Sequence, residues 1–281
     1  MKLTYFGTSA AEGWPALFCN CPSCQSAREK GGKSIRTRSQ ALVNHDLLID
    51  FPSDTYLHVL NYGLDLNQVE NVLVTHSHED HFYPDDLACR CEGYVDPRYR
   101  SGFLLNVYGN DAVREKFEAC ALKNDAERMG QVVTMTELKE YLPAQVGNYT
   151  VYPLLADHNP QEKCYIYVIA EKTGKTLLYA HDTGYLRPDV WEFIQKMNFH
   201  FDMVSLDCNH GKEDSEQNHM GIRCCGKVKD RLLAEGFASP ETVFVVNHFS
   251  HNCLFLNHDE IEEAAAPYGM RVSYDGCSVE F

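Results

Sequence analysis

The chain has 281 residues, of which 44% are hydrophobic and 23% are charged, with only 18 Gly and 11 Pro. This composition excludes collagen-like, low-complexity and disordered proteins, and the length allows a large buried core. With 25 basic and 40 acidic residues, the net charge is −15, which weighs against a nucleic-acid partner because an acidic surface repels polyphosphate chains.

The chain is rich in Cys and His, with 12 and 13 of them. A Cys content of about 4% is below that of a disulfide scaffold. The first residues contain no apolar signal-peptide segment, and no apolar run is long enough to span a membrane. We therefore expect a cytoplasmic protein without membrane association, in which clustered Cys are reduced and bind metal.

Short apolar, β-branched runs predict strands along the whole chain. They lie at residues 2–6, 41–43, 47–50, 72–75, 103–108, 150–155, 165–170, 176–179, 203–207, 243–247 and 271–274. Helices are predicted at 111–122, 188–197, 220–233 and 259–265. Thr173 and Gly174 indicate a hairpin turn between two strands. The alternation predicts one mixed α/β layered domain over residues 1–281, with two sheets and outer helices.

Three cysteines, Cys19, Cys21 and Cys24, lie in a Gly- and Lys-containing segment at about residues 8–40. Thiols this close in sequence cannot readily pair as disulfides, because the bridge would be strained. They can bind one tetrahedral zinc if a fourth ligand comes from elsewhere in the chain. We therefore expect zinc to fix the shape of this loop. Small buried side chains without a metal are the alternative.

The richest local pattern follows the predicted strand at 72–75 and contains His76, His78, Asp80 and His81. Side chains alternate faces in an extended segment, so His76 and His78 point the same way. If the chain then turns, Asp80 and His81 can approach a second point nearby. Imidazole and carboxylate ligands suit zinc, manganese or iron. A polar loop without metal is the alternative, but it leaves the placement after a strand unexplained.

Three further candidates, His158, Asp182 and His248, each follow an apolar run. The carboxyl ends of strands are where α/β sheets place functional groups. Taken singly, each residue could be an ordinary turn residue. Their common position predicts that they complete a metal site with the motif at 76–81.

Together these motifs resemble those of the metallo-β-lactamase-fold hydrolases. The resemblance implies a four-layer αββα sandwich, as a single domain, with a site for two metals at one edge. It assigns His76, His78 and His158 to one metal and Asp80, His81 and His248 to the other, with Asp182 bridging the two.

The start of the chain, from Gly7 to Cys24, is similar to that of the phosphoribosyl cyclic phosphodiesterases of the carbon–phosphorus lyase pathway. Pyrroloquinoline-quinone biosynthesis B proteins have a similar opening. In the phosphodiesterases, a His three residues after the last catalytic His completes a structural zinc site, and here that position is His251. The same resemblance makes His219 the proton donor to the leaving group. The alternative for His219 is a residue at the start of the predicted helix at 220–233.

The resemblance implies a metal-dependent hydrolase with two divalent ions (zinc, manganese or iron) at the active site and one structural zinc. We predict a phosphodiesterase that acts on a small anionic phosphodiester, cyclic or acyclic, through a hydroxide that the metals generate. A tRNA 3′-processing endonuclease is an alternative, although the only basic run lies between Arg28 and Arg38. A lactone or thioester hydrolase and a non-catalytic metalloprotein of cofactor biosynthesis are the others. A homodimer is compatible with the sequence.

Overall fold

The computed structural model describes residues 1–172 and 174–281, so the hairpin turn predicted at Thr173 lies outside the described residues. Strands occur throughout this part of the chain. In chain order they are β1 (Lys2–Gly7), β2 (Gln40–Val43), β3 (Leu47–Ile49), β4 (Asn71–Leu73), β5 (Leu105–Gly109), β6 (Val133–Glu137), β7 (Ala144–Val146), β8 (Tyr149–Leu155), β9 (Tyr165–Glu171), β10 (Thr176–Ala180), β11 (Met203–Asp207), β12 (Val243–Asn247), β13 (Arg271–Val272) and β14 (Ser278–Glu280).

The strands form two seven-stranded sheets, each mixed in direction. The first has the order β14-β1-β2-β3-β4-β5-β6, and the second has the order β13-β12-β11-β10-β9-β8-β7. In the first sheet, β3 to β6 are parallel. In the second, β10 to β13 are parallel, and β9 runs antiparallel to both β8 and β10. Consequently the carboxyl ends of β8, β10, β11 and β12 all lie at the same end of their sheet.

Helices cover the outer faces of the two sheets. They are α1 (Pro22–Lys30), α2 (Thr55–Tyr62), α3 (Asp111–Lys123), α4 (Ala126–Gly130), α5 (Pro188–Met197), α6 (Ile222–Ala234) and α7 (His258–Ala265), with short 3₁₀ turns at Gly32–Ser34, Pro84–Arg90 and Ala266–Tyr268. In the described part of the chain, none of them has the length and apolar character of a membrane span.

Alternation along the strands creates the layers. In β10, Leu177 and Tyr179 pack between the two sheets, whereas Leu178 and Ala180 face the core beneath α5 and α6. In β4, Leu73 joins the intersheet core, and Val72 joins a third core together with residues of α3. Period-two alternation with both faces buried requires a layer on each side of a sheet. Three cores therefore separate four layers, which confirms the predicted αββα sandwich.

Several elements were not predicted from the sequence. They are the strands β6, β7 and β14 and the helices α1, α2 and α4. The three strands are short or partly polar and lie at sheet edges, where little apolar surface is buried. The segment at about residues 8–40, expected to be a loop, is only partly one. It contains α1, which begins at Pro22 after Cys21 as its N-cap.

Candidate metal centre

The candidate centre lies where strands of the two sheets end side by side. His76 follows β4 of the first sheet, and His158, Asp182 and His248 follow β8, β10 and β12 of the second. Backbone pairing holds the two edges together, because Tyr165 N donates a hydrogen bond to Thr75 O over 2.9 Å. The two sheets thus bring residues distant in sequence to one edge of the sandwich.

Two of these residues have a backbone conformation that non-glycine residues rarely adopt. Asp182 has φ of +50° and His248 has φ of +62°, each directly or almost directly after its strand. Such conformations are strained and persist where surrounding contacts enforce them, often at functional sites. For Asp182 one such contact is Asp207 Oδ2, which accepts a hydrogen bond from Asp182 N over 2.9 Å.

His76, His78 and His158 converge on one point. His76 Nε2 lies 2.9 Å from His78 Nδ1. The ring of His158 lies 5.0 Å from that of His76 and 5.2 Å from that of His78. One nitrogen from each ring lies within 4.8 Å of the other two. This spacing fits three ligands of one metal ion.

A second set of side chains surrounds Asp182. His81 Nε2 lies 3.2 Å from Asp80 Oδ2 and 2.8 Å from Asp182 Oδ2. The other oxygen of the same carboxylate, Asp182 Oδ1, lies 3.1 Å from His248 Nε2 and 3.7 Å from His158 Nε2. Asp182 therefore lies between His158 on one side and His81 and His248 on the other, and Asp80 contacts His81.

Unpaired polar atoms in this region indicate that a cation fits. Among the described residues, both ring nitrogens of His158, Nδ1 of His248, Nε2 of His81 and Oδ2 of Asp182 are buried without a hydrogen-bond partner. The 2.8 Å approach of His81 to Asp182 is too misaligned to be a hydrogen bond. Buried polar atoms are rarely left unpaired. Imidazole nitrogens and carboxylate oxygens are good ligands for divalent transition metals.

Burial and neighbouring charges shift the pKa values of these histidines in different directions. Burial lowers the pKa of His76 and of His158, so both rings are neutral and ready to bind a cation. Burial also lowers the pKa of His81, but the carboxylates of Asp182, Asp80 and Asp50 outweigh it and raise that pKa well above its usual value. Metal binding at His81 must therefore displace a proton.

Asp50 is a site residue that the sequence analysis missed. It is fully buried, and its Oδ2 accepts a hydrogen bond from His81 Nδ1 over 2.7 Å. Its Oδ1 accepts hydrogen bonds from Thr75 N and Thr75 Oγ1. A carboxylate in this position fixes which ring nitrogen of a histidine faces a metal. The signal was present, because Asp50 directly follows the apolar run of β3.

Asp207 is the second missed residue, and it holds His219. His219 Nδ1 lies 2.9 Å from Asp207 Oδ2 and 3.9 Å from Asp182 Oδ1. Burial lowers the pKa of His219, but the Asp207 carboxylate outweighs burial and raises it to about 9. His219 lies outside a helix, since α6 begins three residues later at Ile222. The structure therefore places an imidazole with a raised pKa beside Asp182 and His248.

A separate cluster contains Cys19, Cys21, Cys24 and His251, which each offer one ligand atom within 4.8 Å of the others. Cys21 Sγ lies 3.5 Å from His251 Nδ1. Burial raises the pKa of Cys21, but the hydrogen bond with His251 and further hydrogen bonds lower it to about 6. Burial raises the pKa of Cys24 to about 11. The structure thus brings together all four residues expected to hold a structural zinc.

Comparisons with known proteins concern the family and the fold of the chain. The family model described as a beta-lactamase superfamily domain matches residues 50–238, more than half of the chain. Ribonuclease Z of Staphylococcus saprophyticus is 24% identical over 161 residues. That match covers 56% of this chain and 46% of the relative, so the chain spans less than half the length of this curated relative.

Two solved structures share the fold. A diphosphatase of the PhnP family has a TM-score of 0.73 at 22% identity, covering 100% of this chain and 96% of the other. Zinc-bound PqqB from Methylobacterium extorquens has a TM-score of 0.73 at 15% identity, covering 100% of both chains. At these identities the likeness concerns the fold alone.

Proposed function

The chain belongs to the β-lactamase superfamily, and from this premise we propose that it is a metal-dependent phosphodiesterase acting on a small, acyclic or cyclic, phosphodiester. The support comes from the His and Asp side chains gathered at one edge of the sandwich. A small anion suits the net charge of −15, because metal ions make the site locally positive while the wider surface repels long polyanions.

In this proposal the seven predicted ligands hold two divalent ions. His76, His78 and His158 hold one ion, and Asp80, His81 and His248 hold the other, with Asp182 shared between them. Zinc, manganese and iron all suit these donors. Such ions, when bound, polarise phosphoryl oxygens and lower the pKa of water. A further structural zinc is proposed at Cys19, Cys21, Cys24 and His251.

The proposed role of His219 is to protonate the leaving group. Asp207 engages Nδ1 of this ring, so Nε2 is the nitrogen left to give its proton. As the bond from phosphorus to the leaving oxygen breaks, the electron pair passes to that oxygen, and the proton from His219 neutralises it. Asp207 orients the ring and favours its protonated form before the transfer, and the ring is neutral afterwards.

The observation that carries the proposal is the position of Asp182. One of its oxygens faces His81 at 2.8 Å, and the other faces His248 at 3.1 Å and His158 at 3.7 Å. A carboxylate between two sets of ligands can bridge two cations, and paired cations stabilise both the attacking and the leaving oxygen of a phosphoryl displacement. The Asp207–His219 pair beside it adds a proton donor.

A tRNA 3′-processing endonuclease is the second candidate, because one relative of the chain is named ribonuclease Z. The same metal centre could cleave an RNA phosphodiester. The net charge of −15 weighs against it, since a long RNA would have to approach an acidic protein. Substrate size therefore separates the two candidates.

A hydrolysis panel on metal-analysed protein tests the proposal. It compares bis(p-nitrophenyl) phosphate and cyclic nucleotides with lactones, thioesters and a tRNA precursor. We expect turnover of small phosphodiesters that Asp182→Asn abolishes. Asp259→Asn is the control, because this exposed carboxylate lies in a surface ion pair with Lys30 at 2.6 Å. Turnover of carbonyl substrates alone would overturn the proposal, and turnover of the tRNA precursor alone would favour the endonuclease.

A further inference from the structure

Ser77, the residue between His76 and His78, is held by all of its polar groups. Ser77 N donates to Glu162 Oε1 and Ser77 Oγ donates to Glu162 Oε2, each over 2.7 Å. Ser77 O accepts a hydrogen bond from Lys116 Nζ, also over 2.7 Å. These three hydrogen bonds come from side chains outside the loop itself. The two histidines that flank Ser77 are therefore placed by residues far from them in the chain.

Glu162 connects that loop to the third histidine. It lies in the segment between β8 and β9, four residues after His158. Its Oε1 also accepts a hydrogen bond from Asn110 Nδ2 over 2.8 Å, and Asn110 caps α3 by accepting from Val113 N. Asn110 Nδ2 further donates to Lys163 O over 2.8 Å. One carboxylate thus joins the His76–His78 loop, the His158 loop and the start of α3.

We propose that Glu162 is a positioning residue for the three-histidine metal position, an inference that rests on the metal centre of the proposed function. By accepting hydrogen bonds from both donors of Ser77, it sets the separation of His76 and His78 from His158. Hydrogen bonds to a carboxylate are short and strong. The contact between Glu162 and Ser77 therefore keeps the three histidines in place in the metal-free protein. Loss of such a supporting partner typically costs roughly 10–100-fold in metal affinity.

Three substitutions distinguish a role of Glu162 in placing the histidines from a general role in stabilising the fold. Glu162→Ala removes both acceptors of Ser77. Glu162→Gln keeps one acceptor for Ser77 N, and its amide can donate to Ser77 Oγ, so it should restore most of this contact. Glu115→Ala is the matched control, because it removes a carboxylate from α3 whose ion-pair partner is Arg114 at 3.7 Å.

The experiment titrates metal-free protein with Co²⁺ and records the near-ultraviolet and visible spectrum. Thiolate ligands give the Cys cluster a separate charge-transfer band, which serves as an internal reference within each variant. We expect Glu162→Ala to weaken one non-thiolate equivalent by about 10–100-fold, with Glu162→Gln within a few-fold of wild type. We expect Glu115→Ala to match wild type and the thiolate band to titrate identically in all four proteins.

Two results would overturn the inference alone. One is a wild-type Co²⁺ affinity in Glu162→Ala. The other is an equal weakening of the thiolate equivalent together with a lower Tm of the metal-free variant, because that would show general destabilisation. If wild-type protein bound Co²⁺ only at the thiolate cluster, the proposed function would fail as well, so the two failures are distinguishable.

Discussion

Replacing His219 with Gln tests the proposed proton donor. Asp207 raises the pKa of His219 to about 9, so at pH 7.5 more than nine-tenths of the rings would be protonated, against roughly a tenth at the ordinary pKa of about 6.5. General acid catalysis of this kind contributes roughly 100–10,000-fold. We therefore expect kcat for a phosphodiester with an alkyl leaving group to fall by about 100-fold or more in His219→Gln.

The leaving group supplies the diagnostic comparison. p-Nitrophenolate departs without protonation, so kcat for bis(p-nitrophenyl) phosphate should fall only a few-fold in the same variant. Steady-state assays of both esters, with the metal content measured in each preparation, give the ratio. His210→Gln is the control, because its ring lies 5.7 Å from that of His219 and pairs with Glu213.

Asp207→Asn extends this test to the pH profile. An acid must be protonated to act, so activity on alkyl esters should decline above the pKa of His219. Removing the carboxylate that raises this pKa should move the decline to lower pH. An equal loss for both leaving groups in His219→Gln, with metals retained, would refute the proton-donor role.

Three further substitutions test a residue beside the metal centre, the cysteine cluster and a buried histidine. Asp50→Asn should weaken metal retention by roughly 10–100-fold, because it disturbs the acceptor of His81 Nδ1; metal analysis after dialysis checks this, and unchanged retention would contradict it. Cys21→Ser should release the structural zinc and lower the Tm while the other metals stay bound, and loss of every metal at once would count against two separate sites. Burial lowers the pKa of His58 to about 4, so the unfolded state binds the extra proton as the pH falls below about 6.5. Stability should therefore be lost between about pH 6.5 and pH 4, by roughly 3 kcal/mol, and urea denaturation of His58→Gln should show a shallower loss than wild type.

The positions of the candidate ligands were predictable because of where strands end. Asp182 and His248 follow mainly apolar runs, and although each alone could be an ordinary turn residue, their common position behind strands predicts a shared site. The same reasoning would have found Asp50, which follows β3. A polar residue directly behind an apolar strand can be located in the sequence in this way. The sequence pattern does not say which imidazole each carboxylate contacts.

The supporting residues could not be assigned from the sequence, because their roles come from tertiary contacts. Asp50 and His81 are 31 positions apart, and Glu162 and Ser77 are 85 positions apart. Glu162 lies in a polar turn that resembles many others, and only the approach of the two sheets gives it a partner. The edge strands β7 and β14 escaped prediction for a related reason, since three residues bury too little apolar surface to leave a pattern.

Reconstitution is the most direct test of the proposed metal-dependent phosphodiesterase activity. Chelated protein, shown by metal analysis to be empty, is titrated with Zn²⁺ or Mn²⁺ while hydrolysis of bis(p-nitrophenyl) phosphate is measured. We expect no activity at the start, a rise as the His and Asp positions fill, and no rise in Asp182→Asn. Phosphodiester turnover that persists in fully metal-free protein would contradict it.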